Sequence, residues 1–454
     1  MPAARLDLND MQGFRGQLLR AGDPGYEDAR RIHNGLIDKR PALIARCAGT
    51  HDVVAAIDFA RANGLEIAVR GGGHNVAGRA VCEGGLMIDL SLMKMMTVDP
   101  RARIARAQPG LTWGEFNQVS QAHGLASTGG VVSSTGIAGL TLGGGLGWLM
   151  GKHGLAVDHL LAAEVVTATG DVVRADDHEN ADLLWGLRGG GGNFGVVTSF
   201  EYRLHPVGPA VVSGLVAHPV DDAVGVLRFG REFAESAPDD LSVQCALLFA
   251  PDGSSVPIAA IALCHCGPLE QAERDVRAVK AFDSPIIDAI GPQTYENSNT
   301  MMDAGFPKGA LNYWKSSFLR VLSDAAIETL AGRFAECPST MSAIVLERFH
   351  GAAARVPVTA TAFPYREEGW NLLILAQWRD PGDTERNIAW ARETHEAMAR
   401  FMAPRRYVNY LSDDQPPDSL AEVYGANYER LRELKRKYDP QNLFHLNQNI
   451  RPYA

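Results

Sequence analysis

Three runs of consecutive glycine, Gly71–Gly73, Gly143–Gly145 and Gly189–Gly192, fall within the first 195 residues. Stripping side chains from successive positions leaves backbone that turns tightly or that something approaches closely. A single run is compatible with a strained turn. Three of them favour a large phosphate-bearing ligand lying directly on backbone N–H groups. The stretch 124–151 adds to this, because it holds no charged residue, ten glycines and six Ser or Thr. It is long enough to suggest a membrane span but offers too little apolar surface for lipid. It is expected to be buried, tightly turning backbone.

Familiar nucleotide and hydrolase motifs do not account for these glycines. Gly190-x-Gly192-x-x-Gly195 matches the dinucleotide pattern letter for letter. That pattern should follow a strand and open a helix, whereas the residues that follow, VVTSFEYRL, alternate as a strand does. Gly151-Lys152 resembles the end of a P-loop, but Leu146 stands where the first glycine belongs and His153 where a Ser or Thr would hold magnesium. There is no Gly-x-Ser-x-Gly elbow and no His-Glu-x-x-His pair.

Composition narrows the class further. A chain of 454 residues with 46% apolar and 21% charged residues is an ordinary globular composition with room for two or three domains. A formal net charge of −10 makes nucleic acid and anionic lipid poor partners. The N-terminus, MPAARLDLNDMQGFRGQ, has no apolar signal-peptide core, so the expected compartment is the cytoplasm. The six cysteines are scattered and are expected as free thiols. Cys264-His265-Cys266 has no second ligand pair at a zinc spacing, so no metal is expected.

Periodicity and capping signals give an outline of the elements. Thr50 is the expected N-cap of a helix running to Asn63, with Gly64 as its stop. Strands are expected at 65–70, 85–90 and 103–107, a hairpin at 161–175 turning at Thr169-Gly170-Asp171, and a strand at 196–204. A break falls near His205-Pro-Val-Gly-Pro209, beyond which the glycine clusters stop. The rest reads as a different α+β unit, with strands at 211–217, 242–249, 257–264, 342–349 and 371–378 and helices at 221–236, 268–281, 323–336 and 383–402. A capping box, Ser419-x-x-Glu422, opens a C-terminal helix that ends at Asp439-Pro440.

Four segments, Val69-Arg-Gly-Gly-Gly-His-Asn75, Gly143-Gly-Gly-Leu-Gly147, Gly154-Leu-Ala-Val-Asp158 and Trp185-Gly-Leu-Arg-Gly-Gly-Gly-Gly-Asn-Phe-Gly-Val-Val-Thr198, resemble the berberine bridge enzyme-like FAD-linked oxidases. Tyr438-Asp-Pro-x-Asn442 and Asn447-Gln-Asn-Ile450 extend the resemblance to the C-terminus, in order along nearly the whole chain. It implies an α+β architecture: a two-lobed FAD-binding domain of the VAO/PCMH type, and an α+β substrate domain whose antiparallel sheet covers the flavin. The expected division is 1–206 for FAD, 207–410 for substrate and 411–454 returning to the FAD domain. A homodimer is the base-rate expectation for assembly.

The resemblance also assigns residues. Family members attach the flavin 8α-methyl carbon to a histidine after this first glycine run, and His74 stands there. A second link in many relatives comes from a cysteine, whose place is taken by Val132, and no cysteine lies between Cys82 and Cys245. A single covalent attachment is therefore expected. Arg70, Gly71, Gly72, Gly73 and Asn75 should wrap the pyrophosphate, with Gly136, Gly139, Gly143 and Gly144 on the other side. Val197 should face the adenine end through its backbone. Tyr407, Asn409, Asn447 and Asn449 should approach the isoalloxazine edge.

Such an enzyme takes a hydride from a C–H bond to the flavin and passes electrons to O2, giving peroxide, while a base accepts a proton where the carbon bears OH or NH. In several relatives the base lies on the strand that matches Asn371–Trp378. Alternation puts Asn371, Leu373, Leu375 and Gln377 on one face, with no acid among them. That departs from berberine-bridge chemistry and leaves Tyr407, Tyr410 and His153 as candidate bases, with Glu347 and His350 as further options. An apolar cover favours a hydrophobic alcohol, amine or phenol over a bare sugar. Two alternatives stay open: a dehydrogenase using another acceptor, and a flavin-loaded binding protein with little turnover.

Overall fold

The computed structural model describes residues 11, 13–250, 252–414 and 419–453. Near the N-terminus, a four-stranded sheet runs in the order Gln17–Leu19, Leu43–Arg46, Leu86–Asp89, Ile67–Arg70, with the first pair antiparallel and the others parallel. Helix Thr50–Asn63 makes the crossover and buries Val53, Ala56, Ile57 and Ala60 against this sheet. It ends where Gly64 adopts a left-handed conformation, φ +61°. At its start the expectation is corrected. Gly49 occupies the cap and Thr50 is the first helical residue. The Thr50 hydroxyl instead donates to Glu164 Oε1 at 2.8 Å, tying the helix to a strand of the neighbouring sheet.

That second sheet is five-stranded and wholly antiparallel, in the order Met96–Asp99, Ile104–Ala107, Val196–Arg203, Leu160–Val166, Val172–Ala175. Val196–Arg203 sits at its centre, so the glycine run before it leads into a strand and not into a helix. The expected hairpin forms as Leu160–Val166 paired with Val172–Ala175. The C-terminal helix packs on this lobe, where Leu431, Leu434 and Tyr438 share a core with Trp185 and Phe200. It is not continuous: Ser419–Tyr424 and Tyr428–Tyr438 are separated by a 3-10 turn at Gly425–Asn427. Asn427 turns its amide inward there and donates to the carbonyls of Val358 and Thr361. The capping contact expected of the Ser419 side chain lies outside the described residues.

Beyond residue 206 the strands build one large antiparallel sheet in the order Ile287–Asp288, Val211–Pro219, Pro257–His265, Leu241–Phe249, Ala343–Phe349, Gly369–Trp378, Leu311–Leu319, with Gly291–Gln293 beside Val211–Pro219. Helices Ala223–Glu235, Asp324–Ala335 and Thr384–Met398 cover one face. The segment 268–281 is two short helices, Leu269–Asp275 and Arg277–Ala281, and not one. The other face, at Trp314, Leu373 and Leu375, packs on Val76 from the first glycine loop. No helix among the described residues is long and apolar enough to cross a membrane.

One fully buried ion pair fixes the C-terminus. Lys435 Nζ meets Asp439 at 2.7 Å and also donates to the carbonyls of Asn193 and Phe444. A buried charge is tolerated only when it is paired and its remaining donors are satisfied, and this one meets both conditions. Asn193 directly follows the third glycine run, so the same lysine holds that loop in place.

Candidate active site

The first and third glycine runs converge on one cavity. Its walls come from Gly71–Asn75, Gly130–Val132, Thr135–Leu140, Gly190–Val197, Tyr407–Tyr410 and Phe444–Gln448. Gly72 and Gly136 explain why side chains are missing there. A Cβ on Gly136 would lie 2.4 Å from the Gly72 nitrogen, so the two loops touch backbone to backbone. Gly136→Ala is expected to push them apart, at about 1–3 kcal/mol of overpacking, and the purified variant should carry much less flavin per chain, read from its visible absorbance against protein.

His74 lies on this wall, half-buried, with Nε2 2.9 Å from Ser134 Oγ. Its ring stacks on His33, centroids 4.0 Å apart and planes 22° from parallel. Burial, then the neighbouring His33, pushes its pKa down to about 3. The imidazole is therefore neutral at any physiological pH and keeps a nitrogen lone pair for bonding. Val132 lines the same cavity, and no cysteine does among the described residues.

Part of the wall is apolar. Phe306, Trp314 and Leu373 line it, beside Val76 and Leu375. Trp314 is pinned, since its Nε1 donates to Asn312 Oδ1 at 3.1 Å and Gln377 donates to the same oxygen. Asn34 in turn bridges Asn312 and the Val76 carbonyl. Asn371 and Gln377, expected on the face with Leu373, are buried and spend their amides on Glu347 and Asn312.

The candidate bases separate cleanly. Tyr407 and Tyr410 both line the cavity. The Tyr407 hydroxyl accepts from the N–H of Gly145 and the amide of Asn409, both at 2.9 Å, and from Leu146 N at 3.4 Å. Its lone pairs are occupied, and burial pushes its pKa up to about 12, so it holds its proton. Tyr410 instead donates to Glu347 Oε1 at 3.5 Å. Glu347 is fully buried on strand Ala343–Phe349, with Asn371 Nδ2 donating at 2.6 Å. Burial raises its pKa to about 7, against the hydrogen bonds from Asn371 and Tyr410. His153 does not line the cavity; it stacks on His205 at 4.1 Å. His350 is buried against Gly151, also off the cavity wall.

Some expected cofactor residues are used otherwise. The Arg70 side chain bonds to the Ala29 carbonyl and faces Asp89. Gly143 and Gly144 do not line the cavity, because their missing side chains make room for Asn409 and for Phe363 and Tyr407. Asn449 is also off the wall, whereas Gly71, Gly72, Gly73, Asn75, Gly136, Gly139, Val197, Asn409 and Asn447 are on it. Arg79 and Gln448 are polar residues on this wall that carry no sequence signal. Gln448 stands between two asparagines that were singled out, and neighbouring positions on an irregular segment carry no periodicity to choose among them.

The donor set suits an elongated anionic cofactor. Among the described residues, no Asp or Glu lines the cavity and ten of the lining residues are glycine. None of the backbone N–H groups of Gly71 through Asn75 donates a hydrogen bond within the described protein. Gln448 Nε2 is buried without a partner. Unpaired donors on a wall without acids fit a ligand bearing phosphates and ring carbonyls.

A two-lobed domain with this cradle, covered by an antiparallel sheet, defines a flavin enzyme of the VAO/PCMH fold. An FAD binding domain family matches residues 41–176 and a berberine and berberine-like family matches residues 406–451. The chain is 32% identical to (R)-6-hydroxynicotine oxidase of Paenarthrobacter nicotinovorans, over 97% of each chain. It superposes on crystalline 6-hydroxy-D-nicotine oxidase from Arthrobacter nicotinovorans with a TM-score of 0.87, at 32% identity, covering 97% of this chain and 99% of that one. BBE-like 1 of Physcomitrella patens gives the same TM-score at 22% identity, covering 98% of this chain and 99% of that one, and supports the fold. The protein belongs to the berberine bridge enzyme-like family of FAD-linked oxidoreductases.

Proposed function

We propose that this enzyme takes a hydride from a carbon bearing OH or NH on a small, largely apolar substrate, holds its FAD covalently through His74 alone, and returns the electrons to O2 as hydrogen peroxide. Residues 1–206 and 411–454 hold the cofactor in this proposal, and 207–410 cover it. The observation that carries the proposal is Tyr410, which lines the cavity and directs its hydroxyl at a buried carboxylate, Glu347.

FAD, when bound, supplies a two-electron acceptor for a hydride. Its phosphates suit the free N–H groups of Gly71–Asn75 and the facing glycines Gly136 and Gly139. Gln448, whose Nε2 is unpaired, would offer an amide to its ring edges, whereas the Nδ2 groups of Asn409 and Asn447 are already spent on protein oxygens. The protein's own contribution is proton management. Tyr410 touches the substrate hydroxyl or amine and takes its proton as its own proton passes to Glu347. The 3.5 Å separation of Tyr410 and Glu347 has to shorten for that transfer, as catalytic hydrogen bonds often do when substrate binds. Phe306, Trp314 and Leu373 exclude water from the same end.

The test is anaerobic mixing of the flavin-loaded enzyme with a panel of aryl alcohols, amines and phenols. Bleaching of the flavin by at least one of them is expected, followed by reoxidation in air with release of peroxide. Reoxidation by a quinone but not by air would make it a dehydrogenase. A flavin that none of them bleaches would point to a binding protein.

A further inference from the structure

We infer that Arg79 is the recognition point for an anionic group of the substrate, so that the substrate is an apolar carboxylic acid carrying an oxidisable alcohol or amine carbon. This rests on the proposal that the Tyr410 end of the cavity receives substrate.

Arg79 is the one charged side chain on the cavity wall among the described residues, since His74 is neutral there. No ion pair to it and no hydrogen bond from its guanidinium forms within the described protein, and its Nε is buried. A guanidinium half-removed from water without a partner is destabilising, and a bidentate oxyanion is the partner its planar fork fits. Asp413, the carboxylate whose field reaches it, is exposed and stands outside ion-pair distance.

The position of Arg79 separates substrate from cofactor phosphate. Its backbone N–H donates to Asn75 Oδ1, closing a turn that carries Val76. Val76 packs with Trp314, Leu373, Phe306 and Tyr410, which form the apolar end of the cavity. Asp413 follows three residues after Tyr410. In this inference the charge serves the Tyr410 end, whose apolar wall Val76 joins three residues before Arg79, while the free N–H groups suited to phosphates precede it in Gly71–Asn75. The surrounding wall is aromatic and aliphatic, so the anion it receives belongs to an apolar body.

Benzoate and its neutral isostere benzamide probe this directly, titrated into the flavin-loaded enzyme and read as a perturbation of the flavin spectrum. Benzoate should bind the native protein more tightly than benzamide, with an affinity that falls as salt is added. In Arg79→Met its Kd should rise about ten- to a hundredfold, the range for losing a charge-assisted hydrogen bond. Arg79→Lys should restore part of the loss, benzamide should be indifferent to both changes, and flavin content should stay at the native level. Benzoate binding that is equal in native protein and Arg79→Met, or no perturbation by benzoate at all, overturns the inference. So does loss of flavin from Arg79→Met, which would give the guanidinium to the cofactor's phosphates. Should neither variant fold, the native protein decides: salt-independent benzoate binding overturns the inference. Bleaching of the native flavin by an uncharged alcohol would leave the oxidoreductase proposal standing even if this one falls.

Discussion

Tyr410→Phe should lower kcat on any substrate that bleaches the flavin by about 10²–10⁴-fold, the range for removing a positioned proton acceptor, while the protein keeps its fold and its flavin. Phe preserves the ring that packs edge-on against Trp314 at 5.8 Å and Tyr407 at 4.8 Å, so packing is nearly unchanged. Only the hydroxyl that donates to Glu347 is lost. Glu347→Gln separates the two parts of the pair. With its carboxyl raised to about 7 by burial, Glu347 is protonated below that pH and cannot take a proton; above it the carboxylate can. The native kcat/KM should therefore rise with pH through about 7. In Glu347→Gln that limb should disappear and the remaining rate should be low and flat. A Tyr410→Phe enzyme within a few-fold of native, or an unchanged limb in Glu347→Gln, would remove the pair from the chemistry.

The parts of this site that were legible in the sequence are those where backbone does the work. Glycine runs mark close approach whatever the surroundings, so Gly71–Gly73 and Gly136 could be placed on the cradle, and Gly72 against Gly136 shows why. Gly143 and Gly144 belong to an equally conspicuous run, yet they make room for Asn409, Phe363 and Tyr407. A run of glycines reports that something approaches and does not say whether it is ligand or protein. Strands were legible where one face is apolar. Leu311–Leu319 went unseen because Asn312, Ser316 and Ser317 are buried along it and break the alternation. That strand carries Trp314, so the apolar end of the cavity was only half visible.

Polar residues of the candidate site carry the weakest sequence signal, because their meaning depends on partners remote in sequence. Tyr407 and Tyr410 look equivalent three residues apart. They part only when Gly145 and Leu146 are seen to occupy one hydroxyl and Glu347 to receive the other. Glu347 reaches the site from the strand beside the one on which an acid was sought, through the pairing of Glu347 with Asn371. His153 sits one residue from a P-loop-like Gly-Lys pair but is drawn to His205 by stacking. Arg79 offers no pattern at all: an arginine in a turn is normally solvated, and only the fold shows that it lines the cavity.

His74→Ala should abolish covalent flavin completely. After precipitation in acid, the native protein keeps its yellow colour in the pellet, and the variant releases whatever flavin it carries to the supernatant. The imidazole suits the bond because it is neutral, with a pKa held near 3, and because Ser134 engages Nε2 while no hydrogen bond forms at Nδ1 within the described protein. Nδ1 is then the nitrogen free to join the flavin 8α carbon. The glycine cradle does not depend on that bond, so His74→Ala should still bind FAD reversibly, and with a lower reduction potential than the native enzyme. Proteolysis of the native protein should yield one flavin-bearing peptide, containing His74, since no cysteine lines the cavity among the described residues. Colour that stays in the His74→Ala pellet would place the attachment elsewhere. Colour already in the native supernatant would leave the fold and the cradle intact but make the flavin a dissociable cofactor, with turnover resting on the lower potential of the free ring.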